Sequence, residues 1–224
     1  MTLLIFDCDG VLVDSEVIAF DVLRQMLATL GKPMSLAECR QRFMGRRTPD
    51  VLAEIETELG HPIPADMGAR MKVLLFERFR RELRPVAGVK DAIAHLEKPI
   101  CVASSSPPER IALSLEVTGL APLFDDHVFS AEQVAEGKPA PDLFLFAAKS
   151  MGVAPRETIV IEDSTPGVLA ARRAGMSVVG FAGASHADDT LVAALHAAGA
   201  DAVLTSMADL PGTIEKLRAS QAVA

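Results

Sequence analysis

The chain has 224 residues, half of them hydrophobic, which is enough to bury a substantial core in one domain with an insertion or in two small domains. Its net charge of −8 and its lack of Trp and Tyr argue against a nucleic-acid partner. Three scattered cysteines form no disulfide framework, and no apolar stretch approaches the length of a membrane span. An acid follows after only four apolar residues at the N-terminus, so we expect no signal peptide and a cytoplasmic location without membrane binding.

The first element is a predicted buried strand, since Leu3 to Phe6 form a short apolar run. From about residue 16 to residue 83, apolar residues recur at helical spacing and no strand is evident. Glycine and proline separate four predicted helices in this stretch. The helices are predicted at about 18–30, 35–43, 51–59 and 67–79.

After residue 84 the predicted elements alternate between helices and strands. Ser106 is predicted to cap one of these helices, with Pro107 at its first helical position. Strands alternating with helices imply a parallel sheet covered on both faces, which the first strand must join. The sequence therefore predicts an α/β core of residues 1–15 and 84–224 with an inserted all-helical unit of residues 16–83. The predicted strands are 100–103, 127–129, 158–161 and 177–181, with one further short strand in the C-terminal tail.

Two acids, Asp7 and Asp9, follow the first strand directly, and Gly10 comes next. Burying two carboxylates at a strand end is costly unless a cation, a partner or water compensates them. The carboxyl ends of parallel strands are where ligands bind in open α/β sheets. Carboxylate and carbonyl oxygens suit Mg²⁺. The alternative is a polar turn that happens to carry two Asp residues.

Three later strand ends also carry polar residues. Ser104, Ser105 and Ser106 combine hydroxyls with a helix start, which suits an anion or a simple cap. Lys138 lies in a loop between a glycine and two prolines; it could meet a phosphate oxygen or lie on the surface. Glu162 and Asp163 directly follow another strand. They suit a metal site, or they interact with the N-terminus of the next helix.

Taken together, these four loops contain what a magnesium-dependent phosphoryl transfer needs. They supply a carboxylate nucleophile, an acid and base, oxygen ligands for a cation, and donors for the phosphate.

In these motifs the chain resembles the haloacid-dehalogenase-like (HAD) phosphohydrolase superfamily. More narrowly, it resembles the group that holds β-phosphoglucomutase and the 6-phosphogluconate phosphatases. The resemblance covers essentially the whole chain and implies a Rossmann-like doubly wound parallel sheet with a helical cap. It rests on Asp7-Cys8-Asp9-Gly10-Val11-Leu12-Val13-Asp14-Ser15, Val102-Ala103-Ser104, Gly137-Lys138-Pro139 and Ile161-Glu162-Asp163-Ser164.

The resemblance implies a role for each of the polar residues at the four strand ends. Asp7 would be the nucleophile that accepts the phosphoryl group as an aspartyl-phosphate. Asp9 would protonate the leaving alcohol and later activate water, and its backbone carbonyl would help to hold Mg²⁺. Ser104 would bind the phosphate, with Ser105 beside it as a substrate-binding residue. Lys138 would neutralise charge between Asp7 and the phosphoryl oxygens.

The same resemblance makes Asp163 a metal ligand, with Glu162 as support or as an indirect ligand. In the helical unit, Arg46 or Arg47 could form bidentate hydrogen bonds with a sugar-acid carboxylate, or both could be exposed to solvent. Glu16 could touch a sugar hydroxyl.

The balance between hydrolase and mutase depends on two positions. The family's mutase has a histidine where this chain has Ala19, and a lysine where it has Met44, which favours hydrolysis. We therefore expect a magnesium-dependent phosphatase acting on a small phosphorylated metabolite, a sugar or sugar-acid phosphate, as a monomer or weak dimer. The alternatives are a β-phosphoglucomutase-like mutase and a non-catalytic binding protein on the same fold.

Overall fold

The computed structural model describes residues 2–43 and 48–221 and divides into two compact units. One unit comprises Met1–Asp14 and Arg84–Ala224, and the other comprises Ser15–Leu83. Within the described residues, the first unit contains a six-stranded parallel sheet in the order β3-β2-β1-β4-β5-β6. Its strands are β1 (Leu3–Phe6), β2 (Ile100–Ser104), β3 (Val128–Ser130), β4 (Thr158–Glu162), β5 (Ser177–Phe181) and β6 (Ala202–Leu204).

The described helices surround this sheet in the first unit and form the whole second unit. In chain order they are α1 (Glu16–Thr29), α2 (Leu36–Phe43), α3 (Thr48–Leu59), α4 (Met67–Glu82), α5 (Val89–Ala94), α6 (Pro108–Thr118), α7 (Ala121–Phe124), α8 (Asp142–Ser150), α9 (Thr165–Arg173), α10 (Asp189–Ala197) and α11 (Leu210–Gln221).

Strand β1 lies at the centre of the sheet, and all four of its residues are buried. Ile5 pairs with Cys101 of β2 on one side and with Val160 of β4 on the other. The chain reverses its direction of travel across the sheet between β3 and β4, so β1 and β4 flank the crevice that such sheets use for ligands. The predicted Rossmann-like parallel sheet is confirmed.

Both faces of the sheet are packed against helices, which explains why the strands are apolar without alternation. Leu3 and Ile5 point to the face covered by apolar residues of α8, α9 and α10. Phe6 points to the opposite face, where its ring lies 6.0 Å from that of Phe124 in an edge-to-face arrangement.

The second unit has a separate hydrophobic core built by α1–α4. Its apolar residues recur at helical spacing, so each helix presents one stripe to the others. Between Glu16 and Glu82, the described residues form helices and connecting segments without a named strand. The buried members of this core are Phe20, Leu23, Leu27, Cys39, Phe43, Val51, Ile55, Met67 and Met71.

One local prediction is wrong, and one short helix was not predicted. Ser106 does not cap α6: the helix begins at Pro108, Pro107 occupies the N-cap position, and no side chain caps it. The Ser106 hydroxyl bonds instead to Asp9. Helix α7 was not predicted, because four residues are too few for a periodic pattern. No helix among the described residues is both long and apolar enough to cross a membrane.

The packing of Phe124 supplies a stability test. Phe124→Ala removes a buried ring that packs against Phe6 on one face of the sheet. We therefore expect the free energy of unfolding to fall by about 3 kcal/mol. Urea denaturation measures the change. Leu145→Ala in α8 is the control, because Leu145 is 38% exposed and should cost far less. Equal losses in the two variants would contradict this packing.

Candidate active site

The site begins where β1 ends. The Asp7 amide donates to the Ile161 carbonyl at 2.9 Å, so sheet pairing continues to the first acid and fixes its backbone. Gly10 then turns the chain with a φ of 77°, and its amide donates to the Val13 carbonyl. A Cβ at Gly10 would lie 1.8 Å from Asp163 Oδ2. Glycine is therefore required both by the left-handed backbone and by the close approach of Asp163.

Lys138 joins the separate strand ends into one cluster. Its Nζ donates to Asp7 Oδ1 at 2.7 Å, to Glu162 Oε1 at 2.6 Å and to the Ala103 carbonyl at 3.2 Å. These three acceptors match the three protons of the ammonium group. The Lys138 side chain is only 4% exposed, and its Nζ lies 4.9 Å from the centroid of the Phe144 ring. Lys138 is therefore a buried cation held in one position.

Glu162 ends strand β4, Asp163 follows it directly, and both acids belong to the same cluster. Glu162 Oε2 accepts from the amide and the hydroxyl of Ser164, at 2.7 and 2.8 Å. A Cβ at Gly167 would lie 1.9 Å from the Glu162 carboxyl carbon, so the start of α9 must be glycine there. Glu162 therefore accepts from Lys138 at one carboxylate oxygen and from Ser164 at the other.

The charges of the cluster do not balance. Burial raises the pKa of Asp7 well above its ordinary value, Lys138 opposes this rise, and Glu162, Asp163 and Asp9 add to it. Burial alone would lower the pKa of Lys138, but Asp7 and Glu162 outweigh burial and raise it, so Lys138 stays charged. One ammonium therefore faces three buried carboxyl groups, an excess of acids over the single charge of Lys138.

This excess fits a divalent cation. Carboxylate oxygens of Asp7, Glu162 and Asp163 all lie within 4.8 Å of one another, and all three residues are buried. Hard oxygen donors of this kind are the ligands of Mg²⁺ rather than of softer metals. The residues present therefore fit the metal that the sequence motifs suggest.

The other predicted site residues lie in different parts of the molecule. Ser104 is buried at the end of β2, where its hydroxyl accepts from the Ser106 amide at 3.1 Å. Ser105 is exposed beside it. Glu16 lies in the other unit, at the first residue of α1. Arg46 and Arg47 lie outside the described residues.

Sequence reasoning missed Arg110 and His186, which contact the site, and it gave Ser106 the role of an anion-binding or capping residue and not its contact with Asp9. Ser106 Oγ and Arg110 Nη2 both donate to the Asp9 carboxylate, at 2.6 and 2.7 Å. His186, which is buried, places Nε2 3.3 Å from Asp163 Oδ2. Arg110 did leave a signal, because a cation in the first turn of a helix opposes the helix dipole. His186 left none.

Cys8, between the two acids, has the opposite environment from a reactive thiol. Burial raises the pKa of its thiol well above the ordinary value, and the charges of Asp9 and Asp7 raise it further. Because the thiolate is the nucleophilic form, Cys8 is a core residue here.

Comparison with known proteins decides the family. The model of the haloacid dehalogenase-like hydrolases matches residues 1–175. The chain belongs to the haloacid dehalogenase-like hydrolase family. One relative is the 6-phosphogluconate phosphatase of Escherichia coli K12, 29% identical over 81% of this chain and 82% of that protein. Another is the phosphorylated carbohydrates phosphatase of Thermotoga maritima, 30% identical over 79% of this chain and 82% of that protein.

A solved HAD structure covers nearly the whole molecule. It is a conserved haloacid dehalogenase-like protein of unknown function from Agrobacterium tumefaciens, 40% identical, with a TM-score of 0.86 over 97% of this chain and 99% of that one. The HAD resemblance stated from the sequence is confirmed. With phosphatases among its relatives, the protein is a HAD-like phosphoric monoester hydrolase.

The Lys138 cluster generates a stability prediction. Lys138→Met leaves the buried Asp7 and Glu162 carboxylates without their shared cation, so we expect a loss of about 3 kcal/mol in the free energy of unfolding without added metal. Adding Glu162→Gln should restore part of it, because one of the unpaired charges is removed. Chemical denaturation of both variants measures this.

The control for this cycle is Lys98→Met, which breaks the exposed pair of Lys98 with Asp125. It should change stability by less than about 1 kcal/mol. A double variant less stable than Lys138→Met alone would show that charge imbalance is not the cause.

Proposed function

We propose that this HAD hydrolase is a magnesium-dependent phosphatase that cleaves a small sugar or sugar-acid phosphate through an aspartyl-phosphate intermediate. The observation that carries the proposal is the buried cluster in which Lys138 donates to both Asp7 and Glu162, with Asp163 beside them. A phosphate monoester repels an anionic nucleophile, and a fixed cation at the nucleophile offsets that repulsion.

In the proposed reaction, a carboxylate oxygen of Asp7 attacks phosphorus. The bond between phosphorus and the leaving oxygen breaks, and Asp9 gives its proton to that oxygen, so the alcohol departs. Water then attacks the aspartyl-phosphate while Asp9 takes a proton from it. The bond between phosphorus and Asp7 breaks, which releases phosphate and restores both carboxyl groups.

The remaining residues of the site are proposed to bind the phosphoryl group and to offset its negative charge. Lys138 neutralises charge shared by Asp7 and the phosphoryl oxygens, and its three acceptors keep it from moving away. Ser104 is proposed to bind the phosphate from the end of β2. Mg²⁺, held by Asp7, Asp163 and the Asp9 backbone carbonyl with Glu162 in support, would stabilise negative charge on the phosphoryl oxygens when bound.

The proposed substrate class rests on the relatives, two of which act on phosphorylated sugars or sugar acids by name. Selection among substrates is proposed to lie with the helical unit, Ser15–Leu83, acting as a cap. The chain leaves and re-enters the core there through adjacent segments, because the Asp14 amide donates to the Arg84 carbonyl at 3.0 Å. Glu16, Arg46 and Arg47 are the candidates for substrate contact.

Mutase activity is the second candidate, since β-phosphoglucomutases share this core chemistry. Ala19 stands where the mutase has a histidine, so the cap helix α1 lacks that acid–base group at this position. Met44, the other departure, lies outside the described residues. The proposal therefore favours transfer of the phosphoryl group to water.

A phosphate-release screen tests the proposal. We expect the enzyme to release phosphate from at least one sugar or sugar-acid phosphate with Mg²⁺ and to stop when EDTA is added. Asp7→Asn should lower kcat by about 10³-fold or more, because the amide cannot act as the nucleophile. Asp201→Asn is the control, since Asp201 pairs with Arg172 and is not among the residues proposed to act in the site.

The screen has two contradicting outcomes. Conversion of glucose 1-phosphate to glucose 6-phosphate faster than phosphate release would show that the protein is a mutase. Failure to cleave any member of the panel with Mg²⁺ present would favour the hypothesis of a non-catalytic binding protein.

A further inference from the structure

The second acid of the site is held at both of its carboxylate oxygens. Asp9 Oδ1 accepts from Arg110 Nη2 at 2.7 Å, and Asp9 Oδ2 accepts from Ser106 Oγ at 2.6 Å. The Asp9 and Arg110 side chains are 14% and 19% exposed, so solvent screens this pair only weakly. The carboxyl plane of Asp9 is therefore fixed by two groups from a different part of the chain.

Ser106 is itself held in place. Its carbonyl accepts from the Ser130 hydroxyl at 2.8 Å, and its amide donates to Ser104 Oγ at 3.1 Å. Ser130 ends β3 and is fixed by a capping box with Gln133. Ser106 and Ser130 are both buried. The contact to Asp9 thus rests on a rigid chain of hydrogen bonds that runs through the ends of β2 and β3.

Arg110 occupies a position that its own helix disfavours. It lies in the first turn of α6, where the helix dipole favours anions and disfavours a cation. A residue that conflicts with its local element is expected where another interaction requires it. The contact with Asp9 is such an interaction.

We propose that Arg110 and Ser106 are positioning residues that orient the Asp9 carboxyl group for proton transfer to the leaving group. This inference rests on the proposed function, in which Asp9 is the proton donor. Arg110 fixes Oδ1, and Ser106 fixes Oδ2.

The two partners differ in what they can accept, which decides between the oxygens. A guanidinium only donates, so it cannot share a proton placed on Oδ1. A serine hydroxyl both donates and accepts, so Ser106 can reverse its hydrogen bond when Oδ2 carries the proton. Oδ2 is therefore the oxygen that carries the proton. The proton passes to the leaving oxygen when that oxygen replaces Ser106 Oγ as its acceptor and the phosphorus–oxygen bond breaks, and Oδ2 later takes a proton from water.

Dependence on the leaving group tests this role. An alkyl phosphate needs a proton on its departing oxygen, whereas p-nitrophenolate departs well without one. We expect Arg110→Ala to lower kcat/KM for the best alkyl phosphate of the screen about tenfold more than for p-nitrophenyl phosphate. Ser106→Ala should shift the ratio in the same direction. Arg110→Lys should recover part of the loss.

Two controls separate positioning from folding. Arg218→Ala breaks the ion pair of Arg218 with Glu97, which lies outside the site. The exposed fraction of the Arg218 side chain, 23%, is similar to that of Arg110, 19%. Ser114→Ala changes a fully buried serine in α6. Both should leave the ratio of the two kcat/KM values unchanged, even if they lower thermal stability.

A crystal structure of Arg110→Ala, or of Arg110→Lys if the alanine variant does not fold, gives a readout independent of turnover. We expect the Asp9 carboxyl to rotate away from its present plane or to become mobile. The inference is overturned if the carboxyl stays in place, or if Arg110→Ala lowers both kcat/KM values equally. If the unaltered enzyme cleaves no phosphomonoester at all, it is the proposed function that fails, and the position of Asp9 in the variant still decides whether Arg110 orients it.

Discussion

The burial of three carboxylates beside one lysine is the constraint on which the rest of this site depends. Asp7, Glu162 and Asp163 come from the ends of two adjacent strands, and they would repel one another if Lys138 did not lie among them. Such a cluster is costly to assemble in a protein interior. The same crowding of acids that opposes folding suits a divalent cation, which would in turn offset the negative charge of a phosphoryl group.

The sheet makes this cluster possible by holding its members rigidly. Strands β1 and β4 are neighbours at the centre of the sheet, so Asp7 and Glu162 leave paired backbones only a short distance apart. Lys138 arrives from the loop before α8, and Ala103 at the end of β2 supplies its third acceptor. Glycines at positions 10 and 167 let the loop after β1 and the start of α9 approach the acids without steric conflict. Four distant pieces of sequence therefore meet with little freedom to rearrange.

Much of this arrangement could be predicted from the sequence. The apolar runs ending in Asp7 and Glu162 predict buried parallel strands whose carboxyl ends lie at the same edge of one sheet, although the order of the strands is not predicted. The contacts of Ser106, Arg110 and His186 could not be predicted, since they depend on where loops from separate elements converge. Ser106 looked like a helix cap, a local interaction, but the tertiary contact with Asp9 replaced it. The positions in the helical unit that would select a substrate carry no comparable pattern.

The most direct test of the account is to locate the covalent intermediate. The enzyme is quenched during turnover of its best substrate, treated with borohydride, which reduces an acyl phosphate to an alcohol, and digested for mass spectrometry. The account predicts homoserine at position 7 and aspartate at position 9. Unmodified Asp7 in an enzyme that is turning over, or reduction at Asp9 or Asp163 instead, would contradict it.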